Sequence, residues 1–358
     1  MPKTYFSMEV NTAAESWRTI RTFRADPPES VREALDADRA LEFQMALEQA
    51  QQQFKAAASI GYESRPLNLY YGIAQAGRAL AAASPMLGAL TMPDVAQTWS
   101  ASGHGLKFSP AVIPAAALFD AKVRTNLTNK DLFSRVSLAV GSPLDFNQVA
   151  LGELVSQLPE FRMEFGTVED WLPELHDYGI PSYAVVPNGK QVWDIRLIDA
   201  FGDRPSADEL RHLLDRYPSL RGLEFDIDET GAPALVSGDT RAVRLMIRSL
   251  DAFALDPSGA WWRPRQTTIY RRHGVQLPAV GEGGGALRPL MNWWILLYAL
   301  SMIARYAPRT WSSILAISTS PIASHVEHLL DTALDAVPDL VAEELHRLQR
   351  PGSISQSS

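Results

Sequence analysis

The sequence of 358 residues contains no cysteine. Disulfide bonds, cysteine-ligated zinc, iron–sulfur clusters and thiol nucleophiles are therefore excluded, which leaves histidine and arginine as the main candidates for polar chemistry. Acidic side chains outnumber basic ones, 41 to 33, and the formal net charge is -8. This balance argues against a broad basic surface for nucleic acid but still permits a small cationic patch.

Long apolar runs are also missing. Met1–Val10 lacks the apolar centre of a signal peptide. The most apolar stretch, 289–304, ends before Arg305 and is shorter than the roughly 20 residues that a membrane-spanning helix needs. We therefore expect a cytoplasmic protein with no membrane partner.

Local catalytic and cofactor motifs are few. The sequence contains neither a P-loop lysine pattern nor a G-x-S-x-G elbow. The segment 281–286 fits the G-x-G-x-x-A form of a dinucleotide loop, but Pro289 lies in the helix that should follow, which favours a linker. His325 and His328 share one helix face, yet no third metal ligand is identifiable. We expect neither a cofactor nor a metal.

Helical patterns dominate both ends of the chain. Hydrophobic residues make up 46% of the sequence and charged residues 21%, which is typical of a globular protein. Apolar periodicity and proline positions predict helices that are listed here: 29–59, Pro66 to Ala83, 289–306, and 321–348 with a kink or break near Pro338.

The middle of the chain, from about 102 to 280, has short β-like runs. Predicted hairpins are 185–193 around Asn188-Gly189, 223–236, and 267–277. Helices are expected at 147–158, 206–216 and 240–250. The resulting fold prediction is α+β, with N- and C-terminal helices packed as one bundle and a β-rich mixed region inserted between them.

The predicted domain boundaries follow from this pattern. They are an N-terminal extension at 1–28, a helical bundle at 29–101 and 286–350, a mixed insertion at 102–280, and a disordered tail at 351–358.

Two helices carry polar stripes. Tyr71, Gln75 and Arg78 fall on one face of the second helix, and Tyr298, Ser301 and Arg305 fall on one face of the apolar C-terminal helix. A buried arginine needs solvent, an acidic partner or an anionic ligand. If the stripes face each other, they form a two-arginine pocket. If each arginine lies at a helix end, it simply reaches water.

A cationic and aromatic segment lies near the end of the middle region. Its members are Trp261, Trp262, Arg263, Arg265, Tyr270, Arg271 and Arg272. This composition suits a nucleic-acid or nucleotide patch and equally suits a protein interface. An ordinary surface explains it as well, so the three interpretations stay open.

Three blocks of sequence carry a resemblance to a known family. They are 64–79 (SRPLNLYYGIAQAGRA), 104–107 (HGLK) and 296–306 (LLYALSMIARY). Together they resemble the YaaC-like bacterial protein family over about residues 40–345. The resemblance implies no reaction, because none is assigned to the family. The helical hairpin is also similar to HEPN domains, but none of the seven histidines follows an arginine at the spacing of the HEPN nuclease motif, Arg-x4-6-His.

The leading functional prediction is a non-enzymatic protein that binds an anionic ligand, such as a nucleotide or RNA, or a partner protein through the helical bundle. Arg65, His104 and Lys107 join the two stripes as candidate ligand-binding residues. One alternative is an interaction subunit of a larger bacterial assembly that uses the segment 261–272. Another is a HEPN-like phosphodiester-cleaving nuclease, in which His104 would be catalytic.

Overall fold

The fold is seen in a computed structural model. It describes residues 11–27, 29–87, 99–110, 113–128, 130–161, 172, 175–177, 180–181, 191–196, 205–236, 239–247, 253–255, 261–264, 268–281 and 284–348. These residues form two compact units. The helical unit is drawn from Met1–Ala116, Asn126–Leu144 and Trp293–Ser358, and the mixed unit from Ala117–Thr125 and Asp145–Asn292.

The domain boundaries drawn from the sequence stay predictions. The N-terminal residues 1–10 and the tail 351–358 lie outside the described residues.

The described part of the chain contains ten α-helices. They are α1 Ala13–Ala25, α2 Glu29–Ala34, α3 Ala37–Ser59, α4 Arg65–Ala83, α5 Leu132–Val140, α6 Leu151–Val155, α7 Ala207–Asp215, α8 Pro289–Tyr306, α9 Pro308–Leu315 and α10 Ala323–Leu348. None of these helices is long and apolar enough to span a membrane.

The region predicted as one helix, 29–59, forms two helices, α2 and α3. A single helix over 29–59 is wrong, because the chain breaks between α2 and α3. Asp36 has extended backbone and its carboxylate accepts a hydrogen bond of 2.9 Å from the backbone amide of Arg39. Aspartate favours this capping role over a place inside a helix, so a new helix begins after it.

The helices predicted at Pro66 to Ala83 and at 289–306 are confirmed as α4 and α8.

The predicted break in the last helix at Pro338 is wrong, since α10 continues through this proline to Leu348. All residues from Ala336 to Ala342 are buried. Burial of this turn offsets the one backbone hydrogen bond that proline cannot donate.

The N- and C-terminal helices pack together, as the fold prediction states. Asn11, just before α1, donates a 2.8 Å hydrogen bond from its side-chain amide to Asp339 of α10. Phe23 of α1 meets His346 of α10 edge to face, with ring centroids 4.7 Å apart. Helices α1 and α10 therefore belong to one bundle.

The helices α4 and α8 approach each other closely at Gly77. A Cβ atom on Gly77 would overlap the ring of Trp294 and would lie 2.8 Å from the Cγ2 atom of Val136 in α5. Every residue from Trp293 to Ser301 is buried, which makes α8 the inner helix of this unit. The absent side chain at Gly77 is therefore what lets α8 lie against α4.

The strands are short. They are β1 Leu106–Lys107, β2 Lys122–Thr125, β3 Gln148–Ala150, β4 Leu175–Asp177, β5 Ile180–Pro181, β6 Gln191–Arg196, β7 Glu224–Phe225, β8 Leu235–Val236, β9 Asp239–Ile247, β10 Phe253–Leu255, β11 Trp261–Pro264, β12 Thr268–Tyr270 and β13 His273–Gln276. The larger sheet of the mixed unit has the order β12-β13-β4-β6-β9-β7, with β8 paired to β9.

Some elements of the mixed unit match the prediction. The β12–β13 hairpin and helix α7 are confirmed, and β7 and β8 lie within the predicted hairpin 223–236. The turn at Asn188-Gly189 lies outside the described residues.

One predicted helix of the mixed unit is wrong, and another is correct only in part. Within the predicted helix 240–250, the described residues up to Ile247 belong to β9, which pairs with β6, β7 and β8. A strand with partners on both sides gains backbone hydrogen bonds that override weak helix periodicity. The segment 147–158 begins as β3 and becomes helical only at Leu151, since β3 pairs with β2.

Replacement of Gly77 by alanine tests the contact between α4 and α8. Alanine favours helix by about 1 kcal/mol over glycine, but the added methyl group overpacks against Trp294 and should cost about 1–3 kcal/mol. We expect a net loss in the free energy of unfolding, measured by urea denaturation. Ala58→Ser at an exposed position of α3 is the control and should change it by less than about 0.5 kcal/mol. A Gly77→Ala variant more stable than the wild type would contradict the close approach.

Candidate functional site

The two polar stripes meet in the helical unit. The Arg305 guanidinium on α8 donates a hydrogen bond of 3.3 Å from Nη1 to the hydroxyl of Tyr71 on α4. Tyr71 and Arg305 are exposed, whereas Arg78 is half-buried. The stripes thus face each other at the surface of the unit.

An aromatic cluster lies beside this contact. The ring of Tyr70 on α4 lies 5.5 Å from that of Tyr298 and 6.4 Å from that of Trp294, both on α8. The imidazole of His104 lies 5.9 Å from each of the two tyrosine rings. These rings place His104 at the junction of α4 and α8.

One nitrogen of His104 is held by a tyrosine. The Tyr70 hydroxyl and His104 Nδ1 are 2.9 Å apart and share a hydrogen bond. A phenol that keeps its proton can donate to an unprotonated Nδ1, and in that tautomer Nε2 carries the ring hydrogen. The pair therefore orients the imidazole.

The loop that carries His104 depends on two glycines. Gly103 has φ 85° and Gly105 has φ 79°, a region that glycine adopts without strain. The first amides of α5 bind this loop, because Leu132 N donates to Gly103 O at 3.2 Å and Phe133 N donates to His104 O at 3.3 Å. The helix start thus fixes the backbone of His104.

Asp131 completes this anchor. Its buried carboxylate caps α5 by accepting 2.7 Å hydrogen bonds from the backbone amides of Ser134 and Thr128. It also fills the space where a Cβ atom on Gly105 would lie. On the other side of the loop, Tyr298 donates a 2.9 Å hydrogen bond to Leu106 O.

The surrounding charges favour a neutral imidazole. His104 is exposed on one side, but partial burial against the tyrosines lowers its pKa, and the positive charges of Arg305 and Arg78 lower the pKa further. Burial also raises the pKa of the Tyr70 hydroxyl. Both effects keep the Tyr70–His104 pair uncharged near neutral pH.

The two arginines have no acidic partner among the residues that the structure describes. Arg305 binds the Tyr71 hydroxyl and stacks over Tyr306, with Cζ 5.0 Å from the ring centroid. Arg78 forms neither an ion pair nor a hydrogen bond with a described side chain. Two positive charges thus act on His104, and no carboxylate of a described residue forms an ion pair with either arginine.

Two other predicted ligand-binding residues, Arg65 and Ser301, are engaged in contacts within the helical unit. Arg65 pairs with Asp331 and donates to the carbonyls of Ala57 and Ile60 at 3.0 and 3.1 Å, so its guanidinium holds the α3–α4 turn. The Ser301 hydroxyl binds the backbone of its own helix.

Two further predicted ligand-binding residues, Gln75 and Lys107, lie close in sequence to residues of the site. Gln75 is half-buried on α4, one turn after Tyr71. Lys107 is exposed on β1, three residues after His104.

The segment 261–272 is partly engaged within the mixed unit. Arg271 is 5% exposed and pairs with Glu160 at 2.9 Å, and the Tyr270 hydroxyl donates to the same carboxylate at 2.7 Å. Arg272 is exposed at the β12–β13 turn. The strand β11 includes Trp261, Trp262 and Arg263, but their side chains lie outside the described part, as does Arg265.

No group of three or more metal-ligating side chains is found within the described ranges, including around His325 and His328. In the 281–286 segment, residues 282 and 283 lie outside those ranges. A Cβ atom on Gly281 would overlap the carbonyls of Phe146 and Gln148. The glycine at 281 is thus required by close backbone packing.

Sequence reasoning missed Tyr70 as a site residue. The predicted stripe includes Tyr71, whereas its neighbour Tyr70 faces α8 and binds the imidazole. The signal in the sequence was the spacing of Tyr70 and Gly77. Residues i and i+7 lie two turns apart on the same helix face, so Tyr70 shares the face of the small residue at which another helix can pack closely. The glycines on both sides of His104 were a second signal, because such a pair marks a constrained loop.

The glycine loop can be tested with a matched pair of variants. Gly103→Ala and Gly105→Ala both place alanine at positive φ, which costs about 1–2 kcal/mol. Only at Gly105 does the new methyl group also overlap Asp131, so its loss in the free energy of unfolding should be larger by about 1–3 kcal/mol. Urea denaturation measures both losses. Equal losses would show that the fit between Gly105 and Asp131 is unimportant.

The burial of His104 and the positive charges that act on it predict a lowered pKa for this residue. Its pKa, followed through the ring resonances by NMR, should lie below the ordinary value of about 6.5. Arg305→Gln removes a charge that repels the imidazolium, so the pKa should rise toward that value. Arg309→Gln removes an exposed charge from α9 and serves as the control, with the pKa unchanged. A midpoint that does not respond to Arg305→Gln would refute this account.

Comparison with known proteins identifies the same family as the three sequence blocks do. A model of the YaaC-like protein family matches residues 14–345. Searches of curated proteins and of solved structures returned no match. The family match extends over nearly all of the sequence and includes both helical stripes and His104. The chain therefore belongs to the YaaC-like protein family.

Proposed function

We propose that the helical unit binds a small anionic ligand, a nucleotide or the end of an RNA chain, at the junction of α4 and α8. The observation that carries this proposal is the pair Arg78 and Arg305, which act together on His104 without an acidic partner among the described residues. An arginine charge left unbalanced beside a buried aromatic cluster favours an anion.

Arginine suits an oxyanion for geometric reasons. Its planar guanidinium donates two parallel hydrogen bonds to a carboxylate or phosphate. Arg305 is already oriented by Tyr71 and Tyr306, so less side-chain entropy is lost when it binds a ligand. The positive charges of both Arg305 and Arg78 act on His104 and lower its pKa.

Exposed tyrosines support a ligand with a planar base. Tyr71 is 40% exposed and Tyr306 is 56% exposed, and both contact Arg305. Aromatic side chains next to arginine are the usual stacking surface for bases. The net charge of -8 restricts such binding to a local site, which fits a nucleotide or an RNA end better than a long duplex.

A binding role is preferred over catalysis. The described residues offer His104 a hydroxyl partner, Tyr70, and no carboxylate that would raise its basicity. The HEPN nuclease spacing is also absent from the sequence. A HEPN-like role in binding, without cleavage, is compatible with this proposal.

The double variant Arg78→Ala, Arg305→Ala tests the proposal. With a nucleoside monophosphate or a short RNA at about 100 times Kd, the wild type should gain about 2.7 kcal/mol of stability, seen as a higher Tm. The variant should fold normally but lose this gain, because hydrogen bonds to charged groups contribute about 1.5–3 kcal/mol each. The matched control Arg18→Ala, Arg21→Ala removes two exposed arginines of α1 and should keep the gain.

Two results would contradict the proposal, one its site and the other its binding role. Unchanged ligand stabilisation in the double variant would place the ligand elsewhere. RNA cleavage that disappears in His104→Ala would replace binding by the nuclease alternative.

A further inference from the structure

We propose that the ligand carries a doubly charged tetrahedral group, such as a terminal phosphate, and that His104 takes up a proton when this group binds. The inference rests on the proposed function and names its ligand class. It is carried by an exposed imidazole that Tyr70 holds at Nδ1, beside the surface where Arg305 of α8 meets Tyr71 of α4, and by two arginines that lack acidic partners among the described residues.

The imidazole has one nitrogen left for a ligand. Tyr70 binds Nδ1, and it is the hydrogen-bond partner of this ring among the described residues. His104 is an exposed residue, and Nε2 is the nitrogen that we assign to the ligand. As an imidazolium, His104 would donate from Nε2 to an anionic oxygen while Nδ1–H donates to the Tyr70 hydroxyl.

The groups that face His104 come from three directions. Helix α4 contributes Tyr70 and the charge of Arg78, and helix α8 contributes Tyr298 and the charge of Arg305.

From α5, the nearest acidic group in sequence is Asp131. Its carboxylate is engaged with Ser134 and Thr128. The described charges that act on the pKa of His104 are therefore those of Arg305 and Arg78, and the rings that contact it carry the neutral hydroxyls of Tyr70 and Tyr298.

The charge balance then selects the ligand. The free site has two positive charges, and these disfavour a third on His104. A dianion between the arginines cancels their repulsion and attracts a proton to the imidazole, whereas a single carboxylate leaves charge uncompensated. A phosphate also offers enough oxygens for two guanidinium groups and one imidazolium.

The sign of the pH dependence follows from this coupling. Since binding raises the pKa of His104, the protonated protein binds the dianion more tightly than the neutral protein does. Affinity should be highest below the pKa of the free protein and should fall as pH rises through the pKa of the complex.

Sulfate is the probe for this experiment, because its charge does not change near neutral pH. Its Kd is measured by calorimetry between about pH 5 and 8, where an unperturbed histidine titrates. For the wild type, Kd should rise by up to about tenfold per pH unit as His104 loses its proton. NMR of the His104 ring should show a higher pKa with saturating sulfate than without it.

His104→Gln keeps a hydrogen-bonding side chain but cannot be protonated. It should bind sulfate with an affinity that no longer depends on pH. His328→Gln removes an exposed histidine of α10 and is the matched control, which should retain the wild-type pH dependence. Should His104→Gln fail to fold, the NMR measurement on the wild type still decides the question.

The outcomes separate the two proposals. Sulfate binding with the same affinity at every pH, and an unshifted His104 pKa, would overturn proton uptake while the anion site stands. Stabilisation by a nucleoside without a phosphate, together with no sulfate binding, would overturn the dianion. If neither phosphate esters nor sulfate bind the folded protein at any pH, both proposals are wrong.

Discussion

The close approach of α4 and α8 at Gly77 and Trp294 determines how the rest of the candidate site is arranged. A side chain at Gly77 would overlap Trp294, so the distance between the helices is set by the absence of one methyl group. That spacing brings Tyr70 into contact with Tyr298 and lets Arg305 reach Tyr71. Residues more than 200 positions apart in sequence thereby form one surface.

His104 joins this surface through a different constraint. Its loop has positive φ on both sides and is bound by the first turn of α5. The capping carboxylate of Asp131 serves the helix and also packs against the loop at Gly105. Helix capping and site geometry are therefore coupled, since a change in the cap would move the imidazole.

Much of the fold could be predicted from the sequence where a signal was local and strong. The apolar helix α8, the hairpin β12–β13 and helix α7 follow from periodicity, turn residues and capping. The strand β9 could not be predicted in this way, because its stability comes from partners on both sides. Asp36 and Pro338 show the same limit: the Asp36 carboxylate caps a new helix and so interrupts the predicted one, whereas burial of the turn around Pro338 keeps α10 continuous.

The sequence by itself determined which residue types could act. Without cysteine, and with an excess of acidic side chains, histidine and a few arginines were left, and helical spacing placed Arg78 and Arg305 on polar stripes. Only the tertiary structure decided that these stripes face each other, that Arg65 is engaged by Asp331, and that Tyr70 binds His104. The reason is physical, because spacing fixes the face of a helix, whereas packing between distant helices fixes what that face meets.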